Sequence, residues 1–411
     1  MSTATSTTKP VPMWAVSVTV FLVALNLRPA ITALAPVATF IRSDTHTDSA
    51  TIGMLSAAPI LVFGMLSAFV SRLGTRLGYR SVIAYALLVL AAGFGIRLLP
   101  GLVPMLWGMV VIGAGITGLN VLLPAYIKGH PPHRRGPLMG LYTVCLYLGP
   151  ALTAAVTLPI SRWLGSWQWG LFVWVIPVAM AAPAWLLLRR REGDAGTVAA
   201  QRPTISLAAV VYQPLTWSIV TFFAIMSVLF FTIAGWLPNI LVQAGHGSGS
   251  ASFLLALAEL TAIPCALGVS IAIHRTRSQV WATVLGPALL LAGTAGIALR
   301  PDGWTPVWMV VFGAGLGIAG GASFSLPLLR TRTAAEAALV AGLTQTVGYS
   351  LSAVGPVGAG ALHDLSGSWG PVLAVLAVCI VVQGVAGAYA GRGVFIESPR
   401  EEGAPVRVQQ F

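Results

Sequence analysis

Long apolar segments, many of them near 20 residues, recur along the whole 411-residue chain. A helix rises about 1.5 Å per residue, so about 20 apolar residues cross the roughly 30 Å hydrocarbon layer of a membrane. Only 8% of the residues are charged, against roughly a quarter in a soluble domain. We find no ten-residue segments of alternating polarity, which are typical of a membrane β-barrel. The sequence therefore predicts an all-α polytopic membrane protein and makes soluble enzymes, nucleic-acid readers and disordered scaffolds poor candidates.

Twelve predicted spans fall into two sets of six. The first set lies at about 14–40, 51–70, 81–99, 103–127, 136–160 and 169–188, and the second at about 212–242, 251–273, 280–299, 305–329, 337–362 and 370–390. The long polar interruption after the sixth span marks the boundary. We predict a cytoplasmic tail at 1–13, a six-helix bundle at 14–188, a cytoplasmic linker at 189–210, a second six-helix bundle at 211–392 and a cytoplasmic tail at 393–411.

The net charge of +12 is explained by where the basic residues lie. If the amino terminus is cytoplasmic, 18 of the 23 Lys and Arg residues lie on the cytoplasmic side, and Arg28 lies inside a span. The other four lie on the opposite side: Arg42, Arg97, Arg162 and Arg300. The positive-inside rule then predicts a multi-pass protein with both termini in the cytoplasm, and we expect it in the plasma (inner) membrane. Topology accounts for the basic surplus, so no nucleic-acid partner is expected.

The two halves of the chain repeat one another. The stretch Met109-Val110-Val111-x-Gly113-Ala114-Gly115 in span 4 recurs 200 residues later as Met309-Val310-Val311-x-Gly313-Ala314-Gly315 in span 10. At an offset of 202, Gly140-Leu141, Tyr147 and Gly165-Ser166-Trp167 match Gly342-Leu343, Tyr349 and Gly367-Ser368-Trp369. Ordered matches at nearly one offset indicate an internal duplication.

The first span carries the most specific family signal. Asn26-Leu27-Arg28-Pro29-Ala30, followed by Pro36 and Ile41-Arg42, resembles the opening of the cyanate and nitroimidazole transporter family within the major facilitator superfamily. That resemblance implies the major facilitator fold: two six-helix bundles, twelve transmembrane helices and a substrate site between the bundles near the midplane. The loop after span 2 departs from the superfamily pattern, because Thr75 stands where an acidic residue is usual.

Arg28 is the leading candidate for substrate binding. It lies about 14 residues, or roughly 21 Å of helix, into the first span, too deep for its charge to reach either surface easily. A guanidinium at the midplane costs roughly 3 kcal/mol, and its fork of donors suits a planar carboxylate-like anion. The alternative is a structural ion pair or a clamp onto backbone carbonyls. Pro29 predicts a broken or kinked helix at this point.

Other polar residues within the spans are also candidates for substrate contact. For each of them a packing or interhelical hydrogen-bond role is an open alternative. Tyr142 and Tyr147 in span 5 are considered in the same way, and the predicted set is Asn26, Asn120, Trp236, Gln345 and Tyr349.

Glu259 is the only acidic residue deep in an apolar block. Desolvation there would favour its protonated form, which makes it a plausible proton carrier. Three roles stay open: proton coupling, a static or switching pair with Arg28, and an unrelated hydrogen bond.

The sequence thus predicts a secondary active transporter that moves a small organic or pseudohalide-like anion, cyanate- or carboxylate-like, by alternating access. The alternative is a proton-coupled exporter of uncharged or cationic drugs. The expected partners are the anionic solute, protons and the lipid bilayer, and the expected state is a monomer. The sequence shows no catalytic constellation and no metal-ligand cluster, and its glycine motifs lie within spans with no preceding strand. We therefore predict no enzyme activity, no metal and no cofactor.

Overall fold

The computed structural model describes residues 12–192, 210–299, 303–332 and 334–396, and these residues form helices and short connections without a β-strand. Residues 1–11 and 397–411 of the predicted tails and residues 193–209 of the predicted linker lie outside the described residues.

The amino-terminal half contains nine helices in its described residues. They are α1 Met13–Leu25, α2 Pro29–Thr32, α3 Ala38–Thr45, α4 Ser49–Leu77, α5 Tyr79–Ile96, α6 Leu102–Lys128, α7 Pro132–Trp163, α8 Trp167–Phe172 and α9 Val175–Glu192. A single 3₁₀ turn, Ala35–Val37, connects α2 to α3.

The carboxy-terminal half contributes seven more helices over its described ranges. They are α10 Pro214–Gln243, α11 Ser248–Ala272, α12 Val280–Leu299, α13 Thr305–Leu329, α14 Ala334–Ser352, α15 Val354–Ser366 and α16 Gly370–Ala390.

Eleven spans in the described chain are long and apolar enough to cross a membrane. The twelfth is the predicted span at 337–362, which is divided at Ala353 into α14 and α15 and is not among these eleven. The first span is built from α1, α2 and α3, and the sixth from α8 and α9. The prediction of an all-α polytopic fold with twelve transmembrane helices in two six-helix bundles is confirmed.

Local sequence signals determine where helices begin and end. Asp48 precedes α4, and its carboxylate accepts a hydrogen bond of 2.8 Å from the Thr51 amide, which is otherwise unpaired in the first turn. Gly78 separates α4 from α5 with a φ of 83°, a backbone conformation that side-chain-bearing residues rarely adopt. The helices therefore reverse at positions that their own residues specify.

The two ends of the bundle are named here by their connections. The end at which α9 finishes and α10 begins is the linker end, and the opposite end, which carries Asp48 and Gly367, is the far end.

The internal repeat is visible in the packing. Gly113 of α6 lies against Pro59 of α4, and its repeat-related Gly313 of α13 lies against Ala258 of α11. One turn of each helix thus contacts the second span of its own half. Gly115 and Gly315 likewise contact α5 and α12, the third spans of the two halves. Equivalent glycines permit equivalent close helix contacts, as expected for a duplicated six-helix unit.

At the far end the two halves are in contact. The Ala50 amide at the start of α4 donates a 3.0 Å hydrogen bond to the Asp364 carboxylate on α15. Nearby, the guanidinium of Arg162 on α7 donates to the Ser248 hydroxyl at the start of α11 over 2.7 Å. Helices α4 and α15 approach so closely that their backbones touch. These contacts close the space between the halves at the far end.

Candidate functional site

Arg28 lies at a break in the first span. Helix α1 ends at Leu25 and α2 begins at Pro29, so Arg28 occupies the irregular turn between them with φ −122° and ψ −35°. Proline accounts for the break because it has no amide hydrogen for the preceding turn. On the neighbouring α7, Gly149 makes room for the ring of Pro29, since a β-carbon there would lie 3.1 Å from its Cδ. The predicted interruption at Pro29 is confirmed.

The guanidinium of Arg28 is held in a cage of aromatic rings from the other half. Its Cζ lies 4.8 Å from the ring centre of Phe231, 4.9 Å from that of Phe230 and 6.0 Å from that of Tyr349. Its Nη2 donates a long hydrogen bond of 3.5 Å to the Tyr349 hydroxyl. Such cation–π contacts are worth about 0.5–2 kcal/mol each. They offset much of the cost of burying the charge but leave hydrogen-bond donors free.

The Nε of Arg28 is one of these free donors. The side chain is 7% exposed, and Nε is buried without a hydrogen-bond partner among the described residues. The sequence left open a clamp onto backbone carbonyls, but Arg28 makes none within the described chain. Arg28 therefore keeps one unsatisfied donor while its side chain lines the space between the halves.

That space is a narrow cavity between the two halves. Its volume is about 30 Å³, whereas one water molecule needs roughly 10–15 Å³ on the same measure. Arg28, Leu146 and Tyr147 line it from the amino-terminal half. The lining residues from the other half are Phe223, Met226, Ser227, Phe230, Phe231, Gly320, Ser323, Phe324 and Tyr349. A solute of a few atoms therefore fits beside one positive charge.

The cavity opens toward the linker end. Gly140 and Gly342 lie seven residues, about two turns, before Tyr147 and Tyr349 and on the same helix faces. No atom lies within 4 Å of a β-carbon built on either glycine. Phe324, which lines the cavity on the linker-end side, is 42% exposed. The far end is closed by the contacts between halves, so solutes have one route of entry.

Glu259 is buried in the middle of α11. Its side chain is 1% exposed, and its Oε2 has no hydrogen-bond partner in the described part of the chain. It interacts electrostatically with both Arg28 and Tyr147. All three side chains are described, and no ion pair within 4 Å joins Glu259 to Arg28. A static salt bridge between the two is therefore not the arrangement in this state.

Two of the other predicted site residues lie near Arg28. Tyr349 lines the cavity and contacts Arg28 through its hydroxyl and its ring, and it is fixed by the edge of Phe63, 4.3 Å away between ring centres. Gln345 lies one turn nearer the linker end on the same face of α14 and is half-buried. Gln345 therefore lies between Tyr349 and the linker end of α14.

The remaining predicted residues are not brought to the cavity. The amide nitrogen of Asn26 donates to the Leu22 carbonyl of its own helix at 2.6 Å. The amide oxygen of Asn120 accepts a 2.6 Å hydrogen bond from the Tyr142 hydroxyl. Trp236 is 1% exposed and donates to the Pro356 carbonyl at 2.9 Å. Substrate contact by these three stays a prediction that this geometry does not support.

Tyr147 was considered among the polar residues of the spans but not included in the predicted set, and Phe230 and Phe231 of the aromatic cage were not considered. A signal for Tyr147 was present, because it is the repeat partner of Tyr349. Phe230 and Phe231 gave no such signal, since aromatic residues in a span look the same in sequence whether they face lipid or a cavity.

Arg97 makes the carbonyl contacts that were considered for Arg28. The sequence places it in a far-end loop, but its side chain is buried, 4% exposed, at the end of α5. Nη1 donates to the Ala30 carbonyl and Nη2 to the Leu171 carbonyl, both at 2.9 Å. Arg97 thus ties the segment just after Arg28 to α5 and α8.

Two six-helix bundles with a solute cavity between them, open to one end and closed at the other, define a membrane transporter. The Major Facilitator Superfamily model matches residues 18–356. The chain belongs to this superfamily.

Individual relatives agree with this assignment. The chain is 30% identical to the uncharacterized transporter YycB of Bacillus subtilis (strain 168), covering 93% of this chain and 94% of that protein. It is 30% identical to the 2-nitroimidazole transporter of Escherichia coli (strain K12), over 91% and 94% of the two chains. It is 27% identical to the cyanate transport protein CynX of the same organism, over 88% and 93%. The predicted resemblance to cyanate and nitroimidazole transporters is confirmed.

A solved structure shows the same fold. The xylose transporter XylE from E. coli superposes with a TM-score of 0.71 at 13% identity, covering 95% of this chain and 98% of that one.

Proposed function

We propose that the chain is a secondary active transporter that moves a small organic or pseudohalide-like anion, cyanate- or carboxylate-like, across the plasma membrane by alternating access. The anion binds at Arg28, and Glu259 couples its movement to protons.

The unpaired Nε of Arg28 carries this proposal. A buried guanidinium without a carboxylate partner lacks a compensating charge, and an anion entering the cavity supplies it. Nε and one Nη form a fork that matches two acceptor atoms in a plane. Phe230 and Phe231 lie against the guanidinium, and Arg28 lines the cavity together with them.

The size of the cavity favours a small cargo. Drug-sized ligands occupy pockets of about 300–1,000 Å³, about 10 to 30 times the volume beside Arg28. The names of two relatives, a 2-nitroimidazole transporter and a cyanate transport protein, describe small planar or linear solutes. A buried positive charge also repels cationic cargo. The anion carrier is therefore better supported than the exporter of uncharged or cationic drugs.

Glu259 is suited to proton coupling because its carboxyl group lacks a salt bridge and a partner for Oε2. A buried, unpaired carboxyl group favours its neutral form, and any approach to Arg28 favours its charged form. Relative movement of the halves therefore changes its affinity for a proton. A switching pair with Arg28 is compatible with the same mechanism.

We place the linker end in the cytoplasm, with both termini on that side, because the basic residues concentrate there. The cavity in this state then opens inward.

Uptake into proteoliposomes tests the proposal. We expect wild type to accumulate at least one of cyanate, 2-nitroimidazole and benzoate, and Arg28→Ala to lose that activity. Arg28→Lys should recover it only in part, since an ammonium group lacks the planar fork. Arg277→Ala removes a charge from the exposed turn after α11 and serves as the matched control. Transport by Arg28→Ala at the wild-type rate would refute the anion site.

The role of Glu259 is tested in the same vesicles with an imposed pH gradient. Wild type should respond to the gradient, and Glu259→Gln should transport without responding to it. A membrane potential of equal size, imposed at constant pH, separates proton coupling from movement of net charge. A Glu259→Gln variant that keeps the full response to pH excludes the coupling role.

A further inference from the structure

Tyr147 is a buried hydroxyl donor that the function proposed above leaves unused. Its side chain is 5% exposed and lines the cavity beside Arg28. No hydrogen bond ties its hydroxyl to any residue in the described ranges. The hydroxyls of the spans usually donate to carbonyls of their own helix, as those of Thr143 and Thr153 do on α7. A tyrosine cannot reach its own helix carbonyls in this way, so its hydroxyl has to be satisfied from the cavity.

Gly320 is what allows this hydroxyl to stand in the cavity. Tyr147 belongs to α7 of the amino-terminal half, and Gly320 belongs to α13 of the other half. A β-carbon at Gly320 would collide with the Tyr147 hydroxyl oxygen, whereas the next atoms, Cζ of Tyr147 and Cε of Met226, would be 3.4 Å away. The space that a side chain at position 320 would fill is thus occupied by the Tyr147 hydroxyl oxygen.

The repeat places a second tyrosine opposite. Tyr349 occupies the position equivalent to Tyr147, 202 residues later, and it also lines the cavity. Its hydroxyl accepts from Arg28, which leaves its own hydrogen available as a donor. One hydroxyl from each half therefore faces the space beside the single guanidinium.

We propose that Tyr147 binds the transported anion directly, donating its hydroxyl hydrogen together with Arg28, and that Gly320 sets the position of this donor. The inference rests on the anion site proposed above and deepens it. With donors from two directions around one charge, the site selects a short solute with acceptor atoms at opposite ends or edges, such as cyanate or a carboxylate.

Tyr147→Phe and Gly320→Ala test this as a pair. Uptake of cyanate and benzoate into proteoliposomes should show a KM raised about tenfold or more in Tyr147→Phe, because hydrogen bonds to charged groups are worth about one to two powers of ten in affinity. The maximal rate should change much less.

In an otherwise wild-type chain, Gly320→Ala should raise the KM because the added methyl group displaces the Tyr147 hydroxyl. In the Tyr147→Phe background the same substitution should change KM by less than about twofold, because the colliding oxygen is gone and the remaining contacts are at 3.4 Å. Gly268→Ala on α11, where no atom lies within 4 Å of the added carbon, is the control for replacing a helical glycine.

The outcomes separate this inference from the function on which it rests. If Arg28→Ala loses uptake and Tyr147→Phe keeps the wild-type KM, the anion site stands and Tyr147 has no part in it. If Gly320→Ala has equal effects in both backgrounds, the position of the hydroxyl does not matter and the inference is likewise overturned. If Arg28→Ala transports normally, both proposals fail.

Discussion

The far-end contact between α4 and α15 makes a specific prediction about access to the cavity. An ideal β-carbon on Gly360 would lie 2.5 Å from the Ser49 carbonyl oxygen and 2.8 Å from its carbon, and both are backbone atoms. Ordinary contacts of a β-carbon begin at 3.4 Å. Gly360→Ala therefore forces the two helices apart by about 0.9 Å, the difference between 3.4 and 2.5 Å.

The energetic effect of this separation falls on one state of the transport cycle. Overpacking of this kind costs about 1–3 kcal/mol. Helices α4 and α15 belong to different halves, so the cost is removed when the far end opens. A difference of about 1–3 kcal/mol corresponds to a change of about 5- to 150-fold in the ratio of open to closed states. Gly53→Ala should act in the same way, because its β-carbon would lie 2.5 Å from the Pro356 carbonyl oxygen.

Distances between spin labels measure the effect. Labels on two exposed far-end positions, Ser43 in the amino-terminal half and Ser368 in the other, are introduced after replacing Cys145, Cys265 and Cys379. Gly360→Ala should add a population at longer distance and should slow transport, since every cycle requires this end to close.

The control lies on the same helix. Gly358 is exposed, and no atom lies within 4 Å of a β-carbon built there, so Gly358→Ala should leave the distances unchanged. Identical distance distributions for the two variants would show that the glycine contact does not limit closure.

Two further predictions concern stability in detergent. Arg97→Ala leaves the carbonyls of Ala30 and Leu171 without their donor, which destabilises the protein by about 1–3 kcal/mol for each carbonyl. It should therefore lower the melting temperature more than Arg97→Lys. An unchanged melting temperature would mean that both carbonyls find other partners. Hydrogen bonds from the Thr51 hydroxyl and amide hold the pKa of Asp48 below its ordinary value. The charged carboxylate of Asp48 therefore stabilises the folded protein at pH values above the unfolded pKa, near 4. This stabilisation is lost as the pH falls through the folded pKa. Asp48→Ala should therefore cost about 1 kcal/mol at neutral pH and less as the pH falls below about 4, whereas a difference that does not shrink with falling pH would contradict a role for the charged carboxylate.

The sequence was sufficient for the fold because the membrane makes span length and loop charge strong signals. It also predicted the break at Pro29 and the candidate Arg28, since proline and arginine are costly in a span unless something accommodates them. The division of α14 from α15 at Ala353 was missed, because Ala353 itself carries no signal for breaking a helix.

The direction in which each side chain points was much harder to predict from the sequence. In a soluble helix the polar face identifies the buried one, but in a membrane both faces are apolar and that contrast is lost. Trp236 was therefore chosen as a site residue although it is sealed against Pro356 and Trp369. The cage residues Phe230 and Phe231 were passed over for the same reason.

The close packing of α11 on α13 has a consequence for the two buried charges. Gly313 and Gly317 of α13 lie directly on the backbone carbonyls of Ala258 and Ala262, so the helix that carries Glu259 is attached rigidly to its neighbour. This packing restricts bending of the helix that carries Glu259, so rotation of one half against the other is the backbone movement that changes its separation from Arg28. The electrostatic energy between the two side chains is then a function of the angle between the halves. When an anion binds and neutralises Arg28, the electrostatic energy no longer changes with this angle. The pair then neither favours nor opposes rotation of the halves.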